Sequence, residues 1–223
     1  MPDPSSPSSQ SSVPPSIDFE ALYRGESPAD GVPAMPSPPW DTKAPNENVV
    51  AWHAQGLVHG EVLDIGCGYG DNAIYLARQG YSVTGLDIAP TALITAEHRA
   101  TEAGVDIRFA TANATKLEGY TEAFDTVIDS GMFHCLDNEG KSSYATALHR
   151  ATGPGATLLL TCFSDANPPD EHRPMPAVSE QQLRDTLSGA GWDITSLAPA
   201  TVRREDGDTE LVMEFWQVVA GRR

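Results

Sequence analysis

The sequence predicts an α/β fold: a doubly wound, mostly parallel seven-stranded sheet completed by an antiparallel hairpin at the C-terminus. Three observations predict it. Short apolar runs of strand length alternate with helix-length segments of about 8 to 13 residues between residues 46 and 163, the pattern of parallel strands joined by right-handed crossovers. A Gly66-x-Gly68-x-Gly70 turn directly follows the first of those runs. Two further strand-like runs, 192–202 and 211–219, are joined by Asp206-Gly207-Asp208 and read as a hairpin.

Taken in order, residues 1–16 are Ser and Pro with almost nothing apolar, and such a segment cannot repay the entropy of ordering; a disordered tail is expected. Residues 17–45 form a separate N-terminal lid or cap: a short helix at 18–23, then a Pro-rich stretch from Pro28 to Pro39 closing on Trp40-Asp41. Trp40 reads either as a packing anchor or as an aromatic wall over a ligand pocket. The main domain, 46–223, opens with a helix at 46–55 and a strand at 61–65. It continues with a helix at 72–79, a strand at 81–87, a helix at 91–103 and strands at 106–110 and 124–129. A helix at 141–152 leads to a turn at Gly153-Pro154-Gly155 and a buried strand at 156–163. Ser179-Glu-Gln-Gln182 has the spacing of a capping box and starts a helix that runs to about Ser188.

Composition restricts the partners. Of the 223 residues, 14 are Lys or Arg and 31 Asp or Glu, a formal net charge of −17, so nucleic acid and anionic membrane are poor partners. The densest basic group, Arg203-Arg204, is followed at once by Glu205 and Asp206. Cys67, Cys135 and Cys162 are odd in number and lack metal-ligand spacing, which points to thiols, no metal and a reducing compartment. With no apolar span and no leader-like N-terminus, the expectation is a cytoplasmic protein. No coiled-coil heptad is visible, and a monomer is expected.

The sharpest chemical signal is Leu63-Asp64-Ile65-Gly66-Cys67-Gly68-Tyr69-Gly70, with Asp87 ending the next strand. Glycines let the backbone turn tightly and approach a ligand, and in a parallel sheet Asp87 lands beside them, able to accept the ribose hydroxyls of an adenosine. A dinucleotide fingerprint needs Gly-x-Gly-x-x-Gly. Here Asp71 stands at the third glycine and would face a pyrophosphate with like charge. S-adenosyl-L-methionine has no phosphate, and its ammonium and sulfonium suit a carboxylate-rich site. Asp64 fits either as a brace for the glycine loop or as an orienter of the amino end.

Val62-Leu-Asp-Ile-Gly-Cys-Gly-Tyr-Gly70 and Leu86-Asp87 resemble the corresponding motifs of the class I S-adenosylmethionine-dependent methyltransferases, and the resemblance spans residue 46 to the C-terminus. It implies a Rossmann-like sheet and cofactor contacts from Gly66, Cys67 and Gly68 to the methionine moiety, and from Asp87 to the ribose. It further implies Ile88 on the adenine, Asn113-Ala114 at the adenine edge, and Asp129 with Ser130 beneath the methyl donor. Trp40-Asp41, Asp129-Ser-Gly-Met-Phe-His-Cys-Leu136 and Thr161-Cys-Phe-Ser-Asp165 look like the small-molecule branch related to the thiopurine and tellurite-resistance methyltransferases. That branch includes bacterial enzymes acting on heterocyclic or quinone-like toxins. Its motif Trp-Asp-Ile-Gly-x-Pro has glycine where this chain carries Lys43.

Methyl transfer from a sulfonium requires an aligned nucleophile and exclusion of water, with a base only where the acceptor is not already nucleophilic. His134, in the turn after Asp129, is the candidate general base or acceptor-orienting group, and a capping or surface histidine is the plain alternative. The Pro-rich segment after Phe163 reads as a loop over an acceptor pocket or as a surface connection. Trp40, Met132, Phe133, Phe163, His172 and Arg173 are the candidate acceptor contacts, suggesting a small aromatic or heterocyclic molecule methylated on O, S or N. Asn167-Pro168-Pro169 is similar to a motif of amino-group methyltransferases, but it follows the fifth strand and Asp170 replaces the stacking aromatic. The competing readings are a non-catalytic sensor or scaffold for S-adenosylmethionine or S-adenosylhomocysteine, and an NAD-dependent oxidoreductase.

Overall fold

The structure, a computed structural model, describes residues 17–168, 176–206 and 209–223. The expected tail (1–16), His172, Arg173 and the Gly207-Asp208 turn lie outside the described residues. Seven strands form one sheet in the order β3-β2-β1-β4-β5-β7-β6. The strands are β1 (Glu61–Ile65), β2 (Ser82–Asp87), β3 (Arg108–Thr111), β4 (Phe124–Ser130), β5 (Thr152–Phe163), β6 (Trp192–Asp206) and β7 (Thr209–Arg222). The first five pair in parallel, and β7 runs antiparallel to both β5 and β6. The chain winds outward from β1 to β3, then crosses to β4 on the other side of β1, which creates the switch point where such sheets bind ligands.

Among the described residues, six α-helices accompany this sheet: α1 (Phe19–Tyr23), α2 (Glu47–Ala54), α3 (Asp71–Arg78), α4 (Pro90–Ala103), α5 (Asn138–Ala151) and α6 (Glu180–Gly189). Alternate strand residues feed opposite faces. Leu63, Ile65, Val127, Leu158 and Leu160 enter the core shared with Tyr144 and Leu148 of α5 and Leu183 and Leu187 of α6. Val62, Val83, Ile128 and Leu159 enter the core shared with Val49 and Trp52 of α2 and Ala73 and Leu76 of α3. Both faces are covered, which is why the strands read as continuous apolar runs.

Several expected boundaries move for identifiable reasons. The helix expected at 141 starts three residues earlier, because the Asp137 side chain accepts from Gly140 N and caps it. The expected Gly153-Pro154-Gly155 turn is instead taken up inside β5, where the pairing with β4 shifts register between Phe124 and Thr126, and Gly155 takes a positive φ of 79°. Ser179 does cap α6 by accepting from Gln182 N, while the Gln182 amide donates to Asn138 rather than completing the reciprocal box. The hairpin is longer than predicted, with β6 and β7 paired from Trp192–Arg222 out to Asp206–Thr209.

The largest fully buried side chain is Trp192, whose indole donates to Ala145 O at 3.1 Å and meets His149 edge-on. Replacing it removes a large apolar volume and a buried donor together. Trp192→Ala is expected to cost about 3–5 kcal/mol of stability, read as a lowered midpoint in chemical denaturation.

Candidate active site

The site begins with backbone conformation. Gly66 and Gly68 have φ of 68° and 53°, values that a β-carbon penalises, and neither has room for one. A methyl at Gly66 would sit 2.8 Å from Met132 Cγ, and one at Gly68 would sit 2.7 Å from the Tyr23 hydroxyl. The loop is fixed by two buried carboxylates. Asp64 accepts from Ala73 N at 3.1 Å and so braces the start of α3. Asp87 accepts from Gly68 N at 2.8 Å and from Ala89 N at 2.9 Å, joining the glycine loop to the end of β2. Beside it Ile88 is 53% exposed, an apolar surface at the rim of the switch point.

A third buried carboxylate organises the turn after β4. Asp129 accepts from Gly131, Met132 and Phe133 N and from the Tyr144 hydroxyl, the last at 2.8 Å. These donors occupy the acceptor capacity of a carboxylate. Asp129 therefore shapes the Met132–Leu136 turn, with Ser130 half-buried before it. At the far end of the turn, the buried Lys141 donates to Leu136 O at 2.6 Å. Neither Tyr144 nor Lys141 was marked by the sequence, since each reads as an ordinary residue of an amphipathic helix.

Between these anchors, His134 is buried and its Nδ1 accepts from Phe163 N at 3.1 Å. A neutral imidazole that accepts at Nδ1 carries its proton on Nε2. The ring lies 4.5 Å from Phe163, which stacks at 4.7 Å on Phe215 of β7. Phe215 went unrecognised because its strand alternation marked only a sheet residue. Met132 packs against the glycine loop at Gly66. Phe133 does not line an opening: it is fully buried in the main core, 6.2 Å from Tyr144. Asn113 accepts from Thr115 N and its hydroxyl, stabilising the turn after β3, and Ala114 packs on the core beside it.

The N-terminal segment lies directly on the glycine loop. The Trp40 indole donates to the Tyr23 hydroxyl at 3.1 Å, and Tyr23 meets Tyr69 edge-on at 5.1 Å. Burial pushes the Tyr23 phenol well above its ordinary value, with nearby Asp87 adding to the effect. Two polar contacts fix the segment. Glu20 accepts from Thr91 N and its hydroxyl at the start of α4. Arg99 of α4 donates to both oxygens of Asp41, at 2.9 and 3.0 Å, and to Asp71 at 3.0 Å, while lying 4.7 Å over the Tyr69 ring. The Arg99 hydrogen bonds hold the Asp41 carboxyl below its ordinary range. Lys43, at the glycine position of the resembled motif, takes a positive φ of 55°, in the left-handed region that glycine adopts at least cost.

The donor set fits S-adenosyl-L-methionine. Around the glycine loop stand Asp64, Asp87 and Asp129, three carboxylates suited to cationic groups, with exposed Ile88 alongside and no phosphate-binding cation among them.

Comparison with known proteins agrees. Residues 62–155 match the family described as a methyltransferase domain. The 2-heptyl-1-hydroxyquinolin-4(1H)-one methyltransferase of Mycobacteroides abscessus is 37% identical over 216 residues, covering 91% of this chain and 93% of the relative. A structure solved in a study of the conversion of a disulfide bond into a thioacetal group during echinomycin biosynthesis is 38% identical, with a TM-score of 0.79 over 92% of this chain and 90% of that one. The Burkholderia thailandensis 1,6-didemethyltoxoflavin-N1-methyltransferase shares the fold at 20% identity, with a TM-score of 0.62 over 79% of this chain and 77% of its own. The chain belongs to the S-adenosylmethionine-dependent methyltransferases. That membership removes the nicotinamide alternative and makes the protein an enzyme rather than a sensor. Among the described residues, no helix is long and apolar enough to cross a membrane.

The buried carboxylates set a pH dependence. Burial raises Asp64 to about 7, with Asp87 and Asp129 adding repulsion, and raises Asp129 to about 6 against the pull of its hydrogen bonds. Both lie above the unfolded value of about 4, so the folded state holds the extra protons and loses stability as pH rises through the folded values. The ligand-free protein is expected to show a falling thermal midpoint between about pH 4 and 7. Asp64→Asn, which keeps an acceptor for Ala73 N, should flatten that slope.

Proposed function

We propose that the protein moves the methyl group of S-adenosyl-L-methionine to O, S or N of a small aromatic or heterocyclic acceptor bound above the C-terminal ends of β4 and β5. The observation that carries this reading is the aromatic line His134, Phe163 and Phe215, which starts at the turn beside the glycine loop. Flat rings stack on such a line and gain from apolar burial. The M. abscessus relative, named for a hydroxyquinolone substrate, supports a heterocycle bearing a hydroxyl group. The structure associated with echinomycin favours a second reading, in which the accepting atom is sulfur.

The cofactor supplies an electrophilic methyl carbon: the acceptor's lone pair forms the new bond, the C–S bond breaks, and its electron pair stays on sulfur. The chain's own work is positioning. Gly66, Cys67 and Gly68 would hold the methionine end, Asp87 would accept the ribose hydroxyls, Ile88 would pack on the adenine, and Asn113 and Ala114 would meet its edge. Asp64 and Asp129 shape the loops and add negative potential, and Ser130 borders the methyl donor. Trp40 and Tyr23 cover the glycine loop and exclude water. Met132 and Phe163 contact the acceptor. With its Nδ1 taken by the Phe163 N–H, His134 is held to orient an acceptor oxygen rather than to remove a proton through that nitrogen. His172 and Arg173 remain candidate contacts from the segment after β5.

The three thiols support a reducing, cytoplasmic setting, the net charge of −17 supports a substrate other than nucleic acid, and the working unit we assign is a monomer.

Transfer of isotopically labelled methyl to a panel of phenols, hydroxyquinolones, thiols, nitrogen heterocycles, peptide and RNA, followed by mass spectrometry, tests the reading. Labelled product from a hydroxylated heterocycle or a thiol is expected. Label in peptide or RNA alone would overturn the acceptor class. His134→Ala should lower kcat/KM for the labelled acceptor by about 10²-fold while leaving cofactor affinity within about twofold in calorimetry.

A further inference from the structure

The β6–β7 hairpin outruns the sheet that it completes. β5 ends at Phe163, paired with Phe215, yet β6 and β7 continue together from Ala200–Phe215 out to Asp206–Thr209. The six additional rungs extend about 20 Å beyond the end of the parallel strands, on the side where the site lies. The base of this overhang is rigid. Ser164 N and the Asn167 amide donate to Glu214 O, and Glu214 N donates to the Asn167 side-chain oxygen. The segment after β5 thus substitutes for a missing strand at this point.

The two faces of the overhang differ. Strand alternation from Phe215 puts Met213 and Leu211 on the face that stacks on Phe163, and cross-strand pairing adds Ala200 and Val202, with Arg204 the partner of Leu211 near the tip. The opposite face carries the Thr201–Glu214 hydrogen bond and Arg203, with Val212 as its one apolar residue between Leu211 and Met213. Leu211 is 44% exposed, an apolar side chain with much of its surface in water. The apolar face is continuous with the proposed acceptor site: a ring lying on His134 and Phe163 would have Phe215, then Met213, then Leu211 leading away from the reacting atom.

Resting on the proposed function, we infer that the acceptor carries an unbranched apolar tail several carbons long and that the Phe215-Met213-Leu211 face of the overhang binds it, making these side chains determinants of specificity. A polar substituent would gain nothing from this face, whereas each methylene laid on it leaves water.

The test is a series of 1-hydroxyquinolin-4-ones with 2-substituents from hydrogen through methyl, propyl and heptyl, assayed with wild type and with Leu211→Glu and Met213→Glu. In wild type, kcat/KM should rise about two- to fourfold per buried methylene and at least about tenfold from methyl to heptyl, mainly through KM. Each variant should reduce the heptyl-to-methyl ratio by about fivefold or more. Because the ratio compares two acceptors on one protein sample, a general folding defect does not move it. Leu211→Glu, at an exposed position, keeps the test available if Met213→Glu does not fold. Methylation with no dependence on chain length, or a ratio that neither variant changes, would overturn the tail site while leaving the acceptor class intact. No methylation of any member would overturn the hydroxyquinolone acceptor itself. A dimer in sedimentation that Leu211→Glu dissociates, with the chain-length preference unchanged, would assign the face to a second copy of the chain instead.

Discussion

The site depends on the clamping of the turn between β1 and α3. A parallel sheet brings several strand ends to one edge, but it does not by itself define a backbone shape there. Gly66 and Gly68 take left-handed conformations, and Asp87 accepts the Gly68 N–H from the neighbouring strand while Asp64 accepts the Ala73 N–H from the helix. One short loop is thereby tied to β2 and α3 at once. Met132 can pack on Gly66 only because no β-carbon is there, and the Tyr23 hydroxyl approaches Gly68 for the same reason. The turn that carries His134 and the N-terminal segment that carries Trp40 are both positioned by contact with these glycines.

The N-terminal segment shows how a short helix is held without a core of its own. The five residues of α1 are too few to be stable alone, and the stretch from Pro28 to Pro39 has little to bury. Its attachment is polar and aromatic. Glu20 meets the first turn of α4, where unpaired N–H groups favour a carboxylate, and Arg99 joins Asp41 to Asp71. Asp71 is the residue that makes a pyrophosphate unwelcome at this turn. With Arg99 against it, the same carboxylate becomes part of the fastening between the segment and α3, so one side chain bears on both ligand discrimination and closure.

The order of strands and helices was legible because both sheet faces are buried and each helix carries a local start or stop signal. Asp87 and the glycine loop were legible because they are close in sequence to the strands that position them. Residues brought in from a distance were not: Tyr23, Arg99, Tyr144 and Phe215 act through partners 15 to 58 positions away, and each is unremarkable in its own segment. Phe133 shows the opposite error. Its neighbours Met132 and His134 meet Gly66 and Phe163, but the 3-10 turn Phe133–Cys135 rotates the intervening ring into the core. Adjacency in sequence is a poor guide to direction within such a tight turn.

The three buried carboxylates give the site an electrostatic direction. Burial raises both Asp64 and Asp129, and the charges of Asp87 and Asp129 raise Asp64 further. Buried carboxylates of this kind are costly in an empty site. S-adenosylmethionine brings an ammonium and a sulfonium beside a single carboxylate, whereas its product after methyl transfer has lost the sulfonium charge. The negative potential of the loops therefore favours the methyl donor over the demethylated product at equal shape. The ordering holds as long as the carboxylates remain ionised, which links cofactor exchange to the same buried groups that govern stability.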